Sequence, residues 1–440
     1  MPRTEPARGM RDFLPEDVRR REHVIAIIKR VYECYGFEPL ETPAVENIET
    51  LLGKYGEEGN QLIYKILKRG EGEATGQADL ALRYDLTVPL ARVVAQHQSK
   101  LPRIFKRYQI QPVWRADRPA RGRFREFYQC DVDSLGSTSP VVEAEVCAAM
   151  SDALMELGFS DFEIRINHRQ LLRAMLESVA IPEDLHAGAL VSLDKLDKIG
   201  EDAVKADMEE RGIRRDSATN LLSMFQLLKG RDVQAMKGFS PDAMAARQNI
   251  DTIVELVKGT SAEGRLRRDP SLARGLSYYT GAIMEINVAD LAGSLGGGGR
   301  YDNLVGMFLG QDIPACGFSL GLERILVVMT ERNMFPPSLA TAPADVMIVM
   351  FDASGASEAM RVAATLRAAG LRVLVYPDPE KIGKQIKYAD SRGIPFVALL
   401  GEDEIKAGTV TVKDLAAQTQ ATYDQSAAGA AILEALRQRG

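Results

Sequence analysis

Residues 113–133 read VWRADRPARGRFREFYQCDVD, with Arg115, Arg118, Arg121, Arg123 and Arg125 crowded into one short loop. A guanidinium is a planar, permanently charged fork that matches pairs of phosphate oxygens. The alternation in LPRIFKRYQIQPVW and in RFREFYQCDVD predicts two antiparallel strands joined by that loop. Along the second strand, Arg123, Arg125, Phe127, Gln129, Asp131 and Asp133 share one face, while Phe124, Tyr128, Cys130 and Val132 share the other. The first face is graded: guanidiniums for phosphates, a ring on which a base can stack, an amide, then carboxylates that accept from an ammonium group. Taken alone, the loop is equally readable as a solvated hairpin tip.

A chain of 440 residues is too long for one core and predicts two or three domains. The segment RREHVIAIIKRVYECYGFEPLETPAVE reads as an amphipathic helix ending near Gly36 and followed by a short strand. It opens a mixed α+β domain that LRYDLTVPLAR and the two strands continue. From about 170 to 265 the sequence is mostly helical, an inserted module. Strand signals return in SYYTGAIMEINVA and in IPACGFSLGLERILVVM, where the first domain closes. After the PPSLATAPA linker, apolar runs alternate with helical segments as in a small α/β domain.

Composition excludes several classes of function. The net charge of −6 gives no general attraction for polyanions, so a nucleic acid must be met by local basic patches. Cys34, Cys130, Cys147 and Cys316 form no CxxC pair, and His23, His97, His168 and His186 are scattered, which argues against a zinc site or a disulfide framework. The absence of a long apolar run and of a signal core predicts a cytoplasmic chain without membrane association.

The motifs together resemble a family. VWRADRPARGRFREFYQCDVD, GFSLGLERI at 317–325 and RVYECYGFEPLETPAVE are similar to motifs 2, 3 and 1 of the class II aminoacyl-tRNA synthetases. ARGLSYYTGAIME, GGGGRYDNLVGMF and LRYDLTVPLAR resemble segments particular to the histidyl-tRNA synthetases, and KYADSRGIPFVALLGEDEIKAGTVTVKDL resembles their anticodon-binding domain. The resemblance implies an antiparallel-sheet catalytic domain (1–170 and 266–335), a helical insertion (171–265) and a C-terminal α/β anticodon-binding domain (344–440). It implies that L-histidine is activated with ATP and Mg²⁺, then transferred to tRNA(His), by a homodimer paired through residues 23–45.

Residue by residue, it implies Arg115 on the α-phosphate, Arg123 on the outer phosphates, Asp117 beside adenine, and Phe127 and Arg324 on the two faces of the base. Asp85, Thr87, Gln129 and Asp133 surround the α-amino group, Tyr278 and Tyr279 line the imidazole pocket, and Arg274 takes the carboxylate and assists at the α-phosphate. Arg115 and Arg274 are the catalytic pair, and no protein metal ligand is implied. Arg118 and Arg121 at the acceptor end, and Lys381, Lys384 and Lys387 in the last domain, are the expected tRNA contacts. Asp85 and Thr87 also suit a helix cap, and the glycine run suits either a phosphate cradle or close backbone packing. Ser277 departs from the family, which usually carries Asp there. The rival reading is a histidine-binding paralogue that regulates histidine biosynthesis without charging tRNA. Retention of Arg115, Arg123, Arg274, Arg324 and the C-terminal domain stands against it.

Overall fold

The structure, a computed structural model, describes residues 4–228, 240–273, 278–339 and 342–438. It divides into two units, Met1–Phe335 and Pro336–Gly440. In chain order the strands of the first unit are β1 (Glu38–Pro39), β2 (Val45–Asn47), β3 (Lys65–Leu67), β4 (Ala78–Leu82), β5 (Phe105–Trp114) and β6 (Glu126–Leu135), then β7 (Glu163–His168), β8 (Leu266–Arg268), β9 (Ala282–Asn287), β10 (Gly296–Arg300) and β11 (Ala315–Gly321). β2, β4 and β3 make a small sheet, and the other eight form one large sheet in the order β1-β5-β6-β11-β10-β9-β7-β8. Each pairing from β5 across to β7 is antiparallel, and the two edge pairs, β1 with β5 and β7 with β8, are parallel.

One face of this sheet is packed by helices. Helix Pro15–Cys34 starts on a proline, whose missing N–H is harmless in a first turn, and carries Glu16 and Asp17 at its positive end. Val24, Ile28, Val31 and Tyr32 recur every three or four residues and turn into the core with helix Val141–Glu156. The helix stops at Gly36, whose φ of 74° lets the Phe37 N–H return to the Tyr32 carbonyl at 3.1 Å. Cys130, Val132, Met284, Ile286, Phe318 and Leu320 meet these helices from the sheet.

The helical stretch joins two cores. Helices Arg169–Ser178, His186–Leu193, Leu196–Glu210 and Arg215–Leu228 contribute Leu172, Met175, Leu193, Met208, Leu221 and Phe225 to a second core, which Leu272, Ala273 and, from β9, Ile283 join. Helix Pro241–Leu256, capped by Ser240 Oγ accepting from the Ala243 N–H at 3.3 Å, instead sends Ala243, Ala246, Ile250 and Ile253 into the main core. His168 caps Arg169–Ser178 through Nδ1, which accepts the Gln170 N–H at 3.1 Å. Burial, helped by Arg300, pushes its pKa down to about 4, so it caps as the neutral ring.

The second unit is a five-stranded sheet of β12 (Val346–Met350), β13 (Val373–Val375), β14 (Phe396–Leu400), β15 (Thr409–Asp414) and β16 (Thr419–Asp424), ordered β13-β12-β14-β15-β16. Its first three strands are parallel and its last two antiparallel to their neighbours. The run VMIVM of β12 is buried on both faces, as a central parallel strand requires. Val346, Ile348 and Met350 pack with helix Ala356–Ala368, and Met347 and Val349 with helix Ile382–Ser391. Among the described residues no helix is long and apolar enough to cross a membrane.

Candidate active site

The β5–β6 hairpin sets the site. Its register runs from Phe105 opposite Leu135 to Trp114 opposite Glu126, so Arg107, Gln109 and Gln111 stand against Asp133, Asp131 and Gln129 on one polar face. The loop that joins the strands is pinned by the Ala120 and Arg123 backbones, which exchange hydrogen bonds of 2.9 and 3.0 Å around Arg121 and Gly122. Gly122 has a φ of 67°, a conformation in which a side chain is strained.

A cavity of 570 Å³ opens on this face. Asp85, Thr87, Arg115, Asp117, Arg121, Arg123, Phe127, Gln129, Asp133, Tyr278, Tyr279 and Arg324 all line it. Arg118 is exposed and does not line it, and Lys381, Lys384 and Lys387 lie in the second unit. Arg274 and Ser277 lie outside the described residues. The strand alternation holds from Phe127 to Asp133, but not before Glu126, where the strand begins. Phe124 therefore faces the cavity, and Arg125 turns away from it.

The glycine run is strand β10, not a loop. A Cβ on Gly298 would overlap the Gly317 carbonyl, and one on Gly317 would overlap Asp133 Oδ1. Bare backbone on β10 and β11 therefore lets the strands close up under the cavity floor, and Gly296, Gly297, Gly298 and Gly317 all line it.

Successive inward residues of β6 lie roughly 7 Å apart, which gives the cavity two chemically distinct ends. At the loop end, Arg115 is aimed by its Nε donating to the Tyr84 carbonyl at 3.0 Å, with its guanidinium 4.4 Å from the Tyr84 ring and 5.1 Å from Phe127. Arg123 and Asp117 form a bidentate pair at 2.7 and 3.0 Å. Arg324, in the first turn of helix Leu322–Glu331, donates to the Ser294 carbonyl. Arg121 is committed to Glu331 and to the Asp290 carbonyl, at 3.1 Å from the latter.

The far end is a buried bed of acceptors. Asp85 takes the Tyr55 hydroxyl at 2.9 Å, the Tyr278 hydroxyl at 3.2 Å and the Val88 N–H at 3.1 Å, so it caps helix Thr87–His97 and lines the cavity at once. Asp133 accepts the Tyr301 hydroxyl and lies 2.7 Å from the buried Arg107 guanidinium. Gln129 donates through Nε2 to Ser319 Oγ at 2.8 Å, which turns its Oε1 the other way. Gln129 Oε1 and Asp131 Oδ1 are buried with no hydrogen-bond partner among the described residues. Asp131 and Asp133 share one buried guanidinium, that of Arg107, so carboxylates outnumber their nearest cation, and unpaired buried acceptors are costly. A bound cation with N–H donors relieves both.

Asp131, Tyr301, Arg107 and Glu323 were not singled out from the sequence. Alternation had put Asp131 on the right face, and Tyr301 stood inside the quoted GGGGRYDN segment. Arg107 and Gln109 shared a visible polar face with Gln111. The only trace of Glu323 was its place beside Arg324; its Oε2 accepts the Tyr128 N–H at 2.9 Å and so ties the helix to β6.

Burial pushes the Asp131 pKa up to about 7 against the pull of Arg107, with Asp133 adding repulsion. A raised carboxyl pKa means that the folded state keeps a proton which the unfolded chain releases. Stability from this group is present at low pH and is lost as pH rises from about 4 to about 7. Asp131→Asn is therefore expected to raise the melting temperature of the ligand-free protein at pH 8 more than at pH 5, and to reduce its stabilisation by histidine. Equal shifts at both pH values in a thermal melt would contradict this.

A sheet that offers arginines at a hairpin mouth and buried carboxylates further along one strand agrees with the class II aminoacyl-tRNA synthetase that the sequence motifs resemble. Comparison narrows the class. Residues 9–325 match the family model described as histidyl-tRNA synthetase, and residues 345–435 match the anticodon binding domain. The histidine--tRNA ligase of Gloeobacter violaceus is 42% identical over 98% of both chains, and that of Cytophaga hutchinsonii is 40% identical over 95% of this chain and 97% of the other. The crystal structure of histidyl-tRNA synthetase from Nostoc sp. PCC 7120 aligns with a TM-score of 0.75 at 31% identity, covering 99% of this chain and 100% of that one. The chain belongs to the histidyl-tRNA synthetase family. It is an ATP-using aminoacyl-tRNA synthetase.

Proposed function

We propose that the cavity activates L-histidine at its two ends and passes it to tRNA(His). The observation that carries this is the pair of buried, unpartnered acceptors, Gln129 Oε1 and Asp131 Oδ1, one and two inward steps along β6 from Phe127 at the aromatic and arginine end. Asp85, Thr87, Gln129 and Asp133 receive the α-ammonium, and Tyr278 and Tyr279 enclose the imidazole. ATP takes the loop end: Phe127 and Arg324 hold adenine between a ring and a guanidinium, Asp117 lies beside it, Arg115 meets the α-phosphate, and Arg123 the outer phosphates. Arg274 completes the site at the histidine carboxylate.

The histidine carboxylate attacks the α-phosphorus, its P–O bond forming as the bond to pyrophosphate breaks. The acyl group then moves from the adenylate to a terminal ribose hydroxyl, releasing AMP. No protein nucleophile is needed, because fixed guanidiniums align the reactants and stabilise phosphate charge. Mg²⁺ is proposed to arrive with ATP and to neutralise the outer phosphates. Asp194, Glu285 and Glu323 are the carboxylates lining the cavity outside the acceptor bed and the Asp117 pair, and among them are candidates for the one or two ligands such an ion takes from a protein.

The two ends should separate in kinetics. Phe127→Ala is expected to raise KM for ATP about tenfold and leave KM for histidine within about twofold, whereas Gln129→Ala does the reverse. Parallel rises in both constants for either variant would contradict the two-ended site.

We also propose a cytoplasmic homodimer. Helix Pro15–Cys34 turns its apolar face inward, but Val45, Ile66 and Leu80 share the face of the small sheet opposite Ala81 and Glu46, and Val45 and Leu80 are exposed. Sedimentation at micromolar concentration should give a dimer, and Leu80→Glu should weaken it; an active monomer would refute this. Residues 171–265 serve as the insertion, anchored on the catalytic core by helix Pro241–Leu256. In the second unit Lys381, Lys384 and Lys387 are all exposed at helix Ile382–Ser391 and are proposed to meet tRNA phosphates.

A further inference from the structure

Residues 8–13 lie against the arginine loop, and their contacts converge on Arg125. The Arg125 N–H donates to the Gly9 carbonyl at 2.8 Å, and its own carbonyl accepts the Arg115 N–H at 2.9 Å. Its guanidinium spans the same gap, donating from Nε to the Asp117 carbonyl at 3.0 Å and from Nη1 to the Arg8 carbonyl at 3.4 Å. Gly9 has a φ of 84°, and a Cβ there would stand 2.9 Å from both Arg125 Cγ and Pro119 Cγ, too close for either to stay in place. Two residues further on, the Arg11 guanidinium lies 3.4 Å over the ring of Phe124, which lines the cavity.

The N-terminal segment thus grips both flanks of the loop. Arg125 links it to the backbones of Arg115 and Asp117, and Arg11 presses on the ring between Arg123 and Arg125. We propose that residues 8–13 form a latch that holds the arginine loop in its ATP-binding position, with Arg125 and Arg11 as positioning residues that never touch the nucleotide. Releasing the latch lets Arg115, Arg123 and Phe124 move relative to the cavity, and leaves the histidine end, built on β6 and the Tyr278–Tyr301 side, where it was.

This rests on the assignment of the loop end to ATP, so the test carries Phe127→Ala beside the latch variants. In histidine-dependent pyrophosphate exchange, Gly9→Val and Arg125→Ala should each raise KM for ATP about tenfold, with KM for histidine within about twofold of the parent. Arg11→Ala removes an exposed side chain. It should raise KM for ATP about threefold, the scale of one solvent-exposed cation–π contact, and Arg11→Lys should restore it. Unchanged KM for ATP in folded Arg11→Ala and Gly9→Val, with Phe127→Ala still defective, overturns the latch alone. Histidine KM rising in step with ATP KM overturns it as well. So does a defect confined to transfer from preformed adenylate to tRNA, which would make the segment a tRNA contact. If Phe127→Ala also binds ATP normally, the nucleotide assignment itself fails.

Discussion

Replacing Arg115 with alanine should lower kcat/KM for adenylate formation by about a hundred- to a thousandfold, roughly 3–4 kcal/mol of transition-state stabilisation. The expectation comes from how firmly the side chain is aimed. Its Nε is tied to the Tyr84 carbonyl, and its guanidinium is flanked by the Tyr84 and Phe127 rings. A charge held in that way needs no reorganisation when negative charge builds on the α-phosphate. Arg115→Lys should recover only a small part of the loss, because one ammonium cannot both keep the Tyr84 contact and reach the phosphate as a fork. Single-turnover adenylate formation checks it, and a rate within a few-fold of the parent in Arg115→Ala would remove Arg115 from the mechanism.

The second large effect divides the reaction. Residues 1–335 should still make histidyl-adenylate but charge tRNA about a hundredfold or more less efficiently, equivalent to about 2.7 kcal/mol of lost contact. The catalytic unit carries its own sheet and core, and the unit Pro336–Gly440 has separate cores on both faces of its sheet, so each has the means to fold alone. The exposed Lys381, Lys384 and Lys387 predict that tRNA binding by the intact chain weakens as salt rises. Lys384 is 3.5 Å from Glu380 and should contribute less than the other two. Charging by the truncated protein at the parental rate would show that the second unit does not recognise tRNA.

Much of this site was legible because a strand repeats every two residues. From Phe127 to Asp133 the alternation sorted cavity face from core face correctly, down to Cys130 and Val132 in the core. It misled at Phe124 and Arg125, where the ladder has ended and loop hydrogen bonds, not pleating, set the direction of each side chain. The helix ending near Gly36 and the alternation of strand and helix that opens the second unit also followed from local rules. What local rules do not carry is long-range pairing. Helix Pro241–Leu256 follows its helical neighbours in sequence, yet it buries Ala243, Ala246, Ile250 and Ile253 in the main core and not in the one most of them share. Arg107 and Tyr301 owe their importance to Asp133, which lies far from Tyr301 in sequence and opposite Arg107 only through the β5–β6 register. Spacing alone suits Asp85 to a helix cap, and the family resemblance assigns it to the ligand bed. Its two oxygens let it cap the helix while it lines the cavity.

The most direct test of the whole account is ATP–pyrophosphate exchange by the purified full-length chain, with single amino acids supplied in turn in the presence of Mg²⁺. The acceptor bed and the tyrosine pocket predict exchange with L-histidine and background rates with threonine, proline and glycine. Exchange driven equally by any of those three, or none with histidine, would contradict it.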